Sequence, residues 1–253
     1  MKALKPFFMA ASLLVVPACS QAGPADQKAD VPAVKYDVEL SDKDAIEQII
    51  HDYLMENPEV VMDALVAYEA KQDWASVEAV RSAIYNDSRD VVIGPVDANV
   101  TIVEFFDYNC TYCKKTTDWL VNIIKEHPND VRVIFKELPI LDGRTQTSKN
   151  AARAALAAHK QGKYLDMHVA LMNARGLSQS RIEEIAENEG LNVSKLIKDM
   201  EDSKINNLIQ DNMVVGQKLR PLTGTPFFII GDEFLSGANV TRLDEMLDKA
   251  LNG

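Results

Sequence analysis

The chain has 253 residues, 47% of them apolar and 26% charged, with 11 glycines and 10 prolines. That balance excludes wholesale disorder, collagen-like repeats and disulfide-dense scaffolds, and the length suits one domain with an appendage or two small domains. The formal net charge of −11, from 27 basic and 38 acidic residues, repels a phosphate backbone, so no nucleic-acid partner is expected.

The N-terminus reads as a targeting segment. Lys2 and Lys5 precede an apolar run of 12 residues, Phe7 to Ala18, shorter than the roughly 20 that a membrane-spanning helix needs. Two processing signals overlap there. Val16-Pro17-Ala18-Cys19 has the form of a lipobox, with Pro17 unusual in it, and would make Cys19 a lipidated N-terminus. Ser20-Gln21-Ala22 has the small-x-small form of a simple cleavage site. The signal peptide is therefore residues 1–18 or 1–22, and in both cases the chain is exported and Cys19 leaves the thiol arithmetic. Losing Lys2 and Lys5 leaves 25 basic against 38 acidic residues, a mature charge of −13. Residues 19–40, rich in Ala, Pro, Asp, Gln and Lys with no apolar period, read as a flexible tether.

From Ser41 the pattern is helical. Ile46, Ile49, Ile50, Tyr53 and Leu54 fall on one face, with Ser41 and Asp44 placed as a capping box. Asn57-Pro58 supplies an N-cap and a first-turn proline for a second helix, whose stripe runs through Val61, Leu65, Tyr68, Trp74, Val77 and Val80. About 45 residues cannot form a core alone, so residues 41–88 are expected to clasp the rest of the chain or to serve, through 41–85, as an oligomerisation arm.

From Val91 strands and helices alternate. Val100 to Phe106 reads as a strand buried on both faces, residues 112–126 as a helix ending at His127-Pro128, and Val131 to Phe135 as the next, parallel strand. A helical stretch from about Thr147 to Leu219 is punctuated by Gly162, Gly176 and Gly190, with Ser180 and Glu183 as a further capping box. Phe227 to Ile230 and Glu233 to Leu235 form a hairpin about Gly231-Asp232, and Asn239 opens a terminal helix. The fold class is α/β: a thioredoxin-like fold over residues 91–253 with a helical insertion at about 147–219 and an N-terminal helical extension.

Cys110 and Cys113 remain, in a chain bound for an oxidising compartment. A structural disulfide gains by closing a long loop, and this pair closes almost none, so Cys-x-x-Cys reads as redox chemistry. A zinc site needs four ligands, and His51, His127, His159 and His168 are scattered singly, so no metal site is assigned. A two-coordinate Cu(I) site needs only the thiolates and stands as an alternative, as does a scaffold that merely carries a dithiol. Met62, Met167, Met172, Met200 and Met213 read as core fillers. No cofactor is expected.

The run Glu104-Phe-Phe-Asp-Tyr-Asn-Cys110-Thr-Tyr-Cys113-Lys, the segment Phe135-Lys-Glu-Leu-Pro-Ile140 and Gly224-Thr-Pro-Phe-Phe228 resemble the DsbA family of periplasmic disulfide oxidoreductases. The helices at 41–85 resemble the N-terminal region of its ScsC-like members, so the likeness covers about residues 41–253. Cys110, where strand hands over to helix, would be the attacking thiolate, stabilised by unpaired backbone N–H groups and the helix dipole, and Cys113 the resolving thiol. Thr111 and Tyr112 stand where relatives commonly carry proline and an aromatic residue or histidine. The Thr111 hydroxyl is placed to donate toward Cys110, and the missing histidine weakens a strongly oxidising reading.

Glu104, on an otherwise apolar strand, needs a partner or a raised pKa. The resemblance makes it the buried acid that exchanges a proton with Cys113, and the bland alternative is a structural carboxylate paired with Lys136. The resemblance further implies a cis Thr225-Pro226 bond opposite the cysteines, with Thr225 pairing an extended substrate chain. The expected partners are cysteine-containing exported proteins and a membrane redox partner. A monomer would oxidise exported thiols, whereas an assembly of facing dithiols, kept reduced from the membrane, would shuffle wrong disulfides. Copper tolerance among relatives keeps Cu(I) binding in view.

Overall fold

The computed structural model describes residues 42–253. The signal segment, Cys19 and the tether lie outside the described residues. The described residues fall into two units that meet between Asn57 and Pro58.

In the first unit, α1 (Lys43–Glu56) is capped by Asp42, whose side chain accepts from the Ala45 N–H. Ser41, half of the expected capping box, lies outside the described residues; the cap seen is Asp42, three residues before Ala45. No residue of α1 is buried, and Ile50, Tyr53 and Met55 are exposed.

The second unit opens with α2 (Pro58–Ala79), which changes character along its length. Val61, Met62, Leu65, Val66 and Tyr68 are exposed, whereas Val77 is fully buried and Trp74 packs on the core. Met62 is therefore no core filler; Met167, Met172 and Met200 are, and Met213 packs at the edge. A short α3 (Arg81–Tyr85) leads to β1 (Val91–Ile93), β2 (Val100–Phe106), α4 (Thr111–Glu126) and β3 (Val131–Glu137). The insertion comprises α5 (Asp142–Thr145), α6 (Ser148–His159), α7 (Tyr164–Asn173), α8 (Gln179–Asn188), α9 (Val193–Met200) and α10 (Ser203–Lys218). Then follow β4 (Phe227–Ile230), β5 (Glu233–Ser236) and α11 (Val240–Asn252). Ser178, not Ser180, caps α8 by accepting from Arg181 N–H, and Asn239 caps α11 as expected. Gly231 turns the β4–β5 hairpin at φ +58, a left-handed value that glycine adopts without steric cost.

The sheet order is β1-β3-β2-β4-β5, with β2 and β3 parallel and the other pairs antiparallel. Alternation sorts side chains to two faces. Ile102, Phe106, Val133, Phe135 and Phe228 pack with α4, α11 and the insertion. Val103, Phe105, Ile134, Phe227 and Ile229 pack with the end of α2, α3 and α10. Glu104 therefore shares the α4 face and Lys136 the opposite one. The anticipated Glu104–Lys136 pair does not form: Lys136 is fully buried, bonded to Asp90 and to the Ala83 carbonyl at 2.5 Å. Lys136→Met, which leaves Asp90 buried without its cation, should cost about 3–5 kcal/mol in denaturant unfolding, and adding Asp90→Leu should recover most of that loss.

Candidate active site

Strand β2 ends at Phe106, and the loop 107–110 carries the chain into α4. Asp107 organises that loop. Its carboxylate accepts from the Asn109 N–H at 2.8 Å, the Leu141 N–H at 2.8 Å and the Ser148 hydroxyl at 2.7 Å, and its carbonyl accepts from the Cys110 N–H at 3.0 Å. The Asn109 side chain donates to Thr147 and Ser148 at 3.0 and 2.8 Å, tying the same loop to the start of α6. Cys110 thus becomes the N-cap residue of α4, at φ −77 and ψ 117, next to amides that have no intrahelical acceptor.

Both cysteines are free thiols, Cys110 7% exposed and Cys113 fully buried. As a thiol, Cys110 Sγ donates to the Thr225 carbonyl at 3.1 Å. As a thiolate it accepts from the Cys113 side chain, from the Thr225 side chain and from the backbone N–H groups of Cys113 and Tyr112. These bonds outweigh burial and bring its pKa down to about 5. The Thr111 hydroxyl makes no bond to this sulfur among the described residues, so the donor expected there is replaced by the amides behind it. Thr111 and Tyr112 are exposed beside Cys110. The Thr225-Pro226 peptide is cis and faces Cys110.

Cys113 is driven far the other way, its thiol held protonated by burial, by donation to Cys110 and by the negative charges of Glu104 and Cys110. Glu104 is 2% exposed, and its Oε2 has no hydrogen-bond partner. Burial pushes its carboxyl up to about 8, with the Thr116 hydroxyl opposing and the charge on Cys110 reinforcing. The arrangement pairs an ionised, rim-placed sulfur with a neutral, buried one, and sets beside the buried one a carboxyl whose ionised form, gained as pH rises toward 8, can take its proton.

Several further residues shape this site beyond those its motifs announce. Glu137, at the end of β3, accepts from Tyr108 and Tyr164 hydroxyls at 3.1 and 3.0 Å, and Tyr108 lies 3.1 Å from His168 Nδ1. Burial raises the Glu137 carboxyl well above its usual range and pulls His168 down to about 3, so His168 serves as a neutral core group. Lys114 bonds carbonyls at the end of α7. The Asp107-x-Asn109 pattern was a readable turn signal, since such side chains bond the amide two residues on; the Glu137 and Lys114 contacts carry no local signal. Among the described residues no cluster of metal-binding side chains occurs and no helix is long and apolar enough to cross a membrane.

A five-stranded sheet with one parallel pair, and a Cys-x-x-Cys at the first turn of the helix following the central strand, define a thioredoxin-type domain carrying a dithiol. The chain belongs to the family described as DSBA-like thioredoxin domain, whose model matches residues 101–250. A second model, the copper resistance protein ScsC N-terminal domain, matches residues 42–73. Among solved structures, a thioredoxin-like oxidoreductase from Silicibacter pomeroyi is 37% identical over 68% of this chain and 98% of its own, at a TM-score of 0.62. A linker-deletion mutant of Proteus mirabilis ScsC is 29% identical over 86% of this chain and 99% of its own, at 0.64. The thiol-disulfide exchange protein alpha-DsbA2 from Wolbachia pipientis is 27% identical over 72% of this chain and 97% of its own, at 0.65. The chain spans about a quarter of the length of the curated relatives it matches, which are Na(+)/H(+) antiporters.

The sign of the Glu104 effect gives a test. Its folded value, near 8, lies above the ordinary 4.5, so between those pH values the folded chain holds a proton that the unfolded chain releases, and this group's contribution to stability falls as pH rises through that window. Glu104→Gln should therefore match the native chain near pH 4 and exceed its thermal stability near pH 8, while slowing release of a mixed disulfide by Cys113.

Proposed function

We propose that the protein is a periplasmic protein thiol:disulfide oxidoreductase that shuffles disulfides in cysteine-containing exported proteins and is kept reduced by a membrane redox partner. The observation that carries this reading is the placement of two free sulfurs one helical turn apart, Cys110 at the N-cap of α4 against the Thr225 carbonyl and Cys113 fully buried behind it, which favours the thiolate on the first and the thiol on the second. The Cys110 thiolate attacks one sulfur of a substrate disulfide. A bond forms between Cys110 and that sulfur, and the substrate's other sulfur leaves as a thiolate. Shuffling is complete when a substrate thiolate attacks the mixed disulfide and regenerates Cys110. When the substrate is instead to be reduced, Cys113 passes its proton to the ionised form of Glu104 and attacks the Cys110 sulfur, forming the Cys110–Cys113 disulfide and releasing the second substrate thiolate. Thr225, across from Cys110, and exposed Thr111 and Tyr112 are the surfaces against which an extended substrate lies, with Pro226 shaping the turn.

Several features support the cellular setting. The apolar run before Cys19 is a signal peptide in this reading, with Cys19 as the acylated N-terminus that tethers the protein to a membrane. Periplasmic location accords with a solved neighbour titled a periplasmic thioredoxin-like protein from Salmonella enterica, 31% identical over 69% of this chain. The match of residues 42–73 to a copper resistance protein's domain favours a second reading, in which the two thiolates also hold Cu(I).

Shuffling rather than net oxidation follows if copies assemble through residues 41–85. The exposed apolar side chains of α1, and separately those of the first half of α2, support such an arm, because apolar faces of this kind mark surfaces that are covered in the working protein.

In an exchange assay Cys110→Ser should abolish activity and Cys113→Ser should accumulate mixed disulfides; equal inertness without trapped substrate would point to metal binding or scaffolding instead. Light scattering tests the arm. The mature chain should have a multimeric mass that falls to one copy in Leu65→Lys/Tyr68→Lys, which leaves the buried Val77, Val80 and Ile84 in place; a native monomer would refute assembly.

A further inference from the structure

The last turn of α7 carries no basic residue of its own. Its cation comes from α4. The half-buried Lys114 donates to the Met172 and Ala174 carbonyls at 2.7 and 2.8 Å, with the Leu171 carbonyl at 3.4 Å. The final carbonyls of a helix lack intrahelical donors and together carry about half a negative charge. Taking an ammonium partly out of water is costly, so a lysine placed here rather than on the surface is doing so against its hydration. Its partners are backbone oxygens, so its positive charge is only partly spent locally. Lys114 also directly follows Cys113, so one side chain joins the first turn of the cysteine helix to the negative end of a helix of the insertion.

We propose that Lys114 is a positioning residue for thiol exchange, docking α4 on α7 and holding its cation one helical turn from Cys110, whose carbonyl accepts from the Lys114 N–H at 3.2 Å. The inference rests on Cys110 being the attacking thiolate. A positive charge four residues on along the same helix face favours an anionic sulfur. Only the reduced protein carries that anion, so the contribution is specific to the reduced state. The other titratable groups about Cys110 are Tyr112 and Cys113 on α4, Glu104 on β2 and Asp107 in the loop, and the facing segment contributes uncharged Thr225. Lys115, next along α4, lies over the exposed Tyr112 ring, so Lys114 is the half-buried cation of the set. Burial lowers its own pKa, while the charges of Cys113, Asp107 and Cys110 oppose that fall, which places it within electrostatic reach of both sulfurs.

The test follows the ultraviolet absorbance of the thiolate against pH in Lys114→Gln, Lys114→Met and Lys114→Arg, with thermal unfolding of each in reduced and oxidised form. Gln and Met should raise the Cys110 midpoint by about half to one pH unit, a change of roughly three- to tenfold in the ionisation equilibrium, and Arg should restore it. The gap in unfolding temperature between reduced and oxidised forms should shift against the reduced form in Gln. A native midpoint in Gln, with equal thermal losses in both redox forms, would overturn the proposal and leave Lys114 a structural latch. Cys110→Ser assayed alongside separates the two layers: residual exchange in that variant sinks the thiolate reading itself, whereas a dead Cys110→Ser beside an unmoved Lys114→Gln midpoint sinks only the role of Lys114.

Discussion

A sulfur anion beside a protein core survives only where donors wait for it, and the loop 107–110 sets out those donors. The Asp107 carboxylate gathers two amides and a hydroxyl from both sides of the loop, and its carbonyl takes the Cys110 N–H. With the loop fixed, α4 starts one residue later and its first amides meet the sulfur rather than water. The neutral state of Cys113 depends on the same placement, since it is both the donor to Cys110 and a group buried against Glu104.

The insertion contributes more than cover. Its helix α7 reaches the site at two points: His168 beside Tyr108, two residues before Cys110, and the terminal carbonyls on Lys114, one residue after Cys113. The rings of Phe106, Phe135, Tyr164 and His168 pack on one another, and the buried Glu137 accepts from the Tyr108 and Tyr164 hydroxyls through one oxygen while its other oxygen has no partner. Such a group is costly unless neutral, and burial indeed keeps its proton on. The loop carrying the nucleophile is thereby gripped from the sheet and from the helical layer together.

Local pattern made most of the fold legible. The continuous apolar run of β2, the hairpin glycine and the cap at Asn239 each depend on near neighbours in the chain, and each element formed where its residues pointed. Cys110 and Cys113 were legible for the same reason, because their spacing is itself the chemistry. Contacts between distant segments were not. Glu104 and Lys136 lie on adjacent strands and invited pairing, but sheet alternation sends them to opposite faces, and that follows only once the β2–β3 register is known. The exposed half of α2 has the same apolar stripe as its buried half, since periodicity reports that a face is to be covered and not by what.

The register between β2 and β3 also constrains how this protein can change. Between Glu104 and the nucleophile the backbone passes first through pleated strand, where direction flips at every step. Gaining or losing a single residue ahead of Phe106 would rotate the acid to the far side of the sheet, alongside Lys136, and put a hydrocarbon under the resolving thiol. Length variation here is therefore tightly bounded: an odd change turns the acid to the other face, and an even one keeps its face but carries it about 7 Å along the strand.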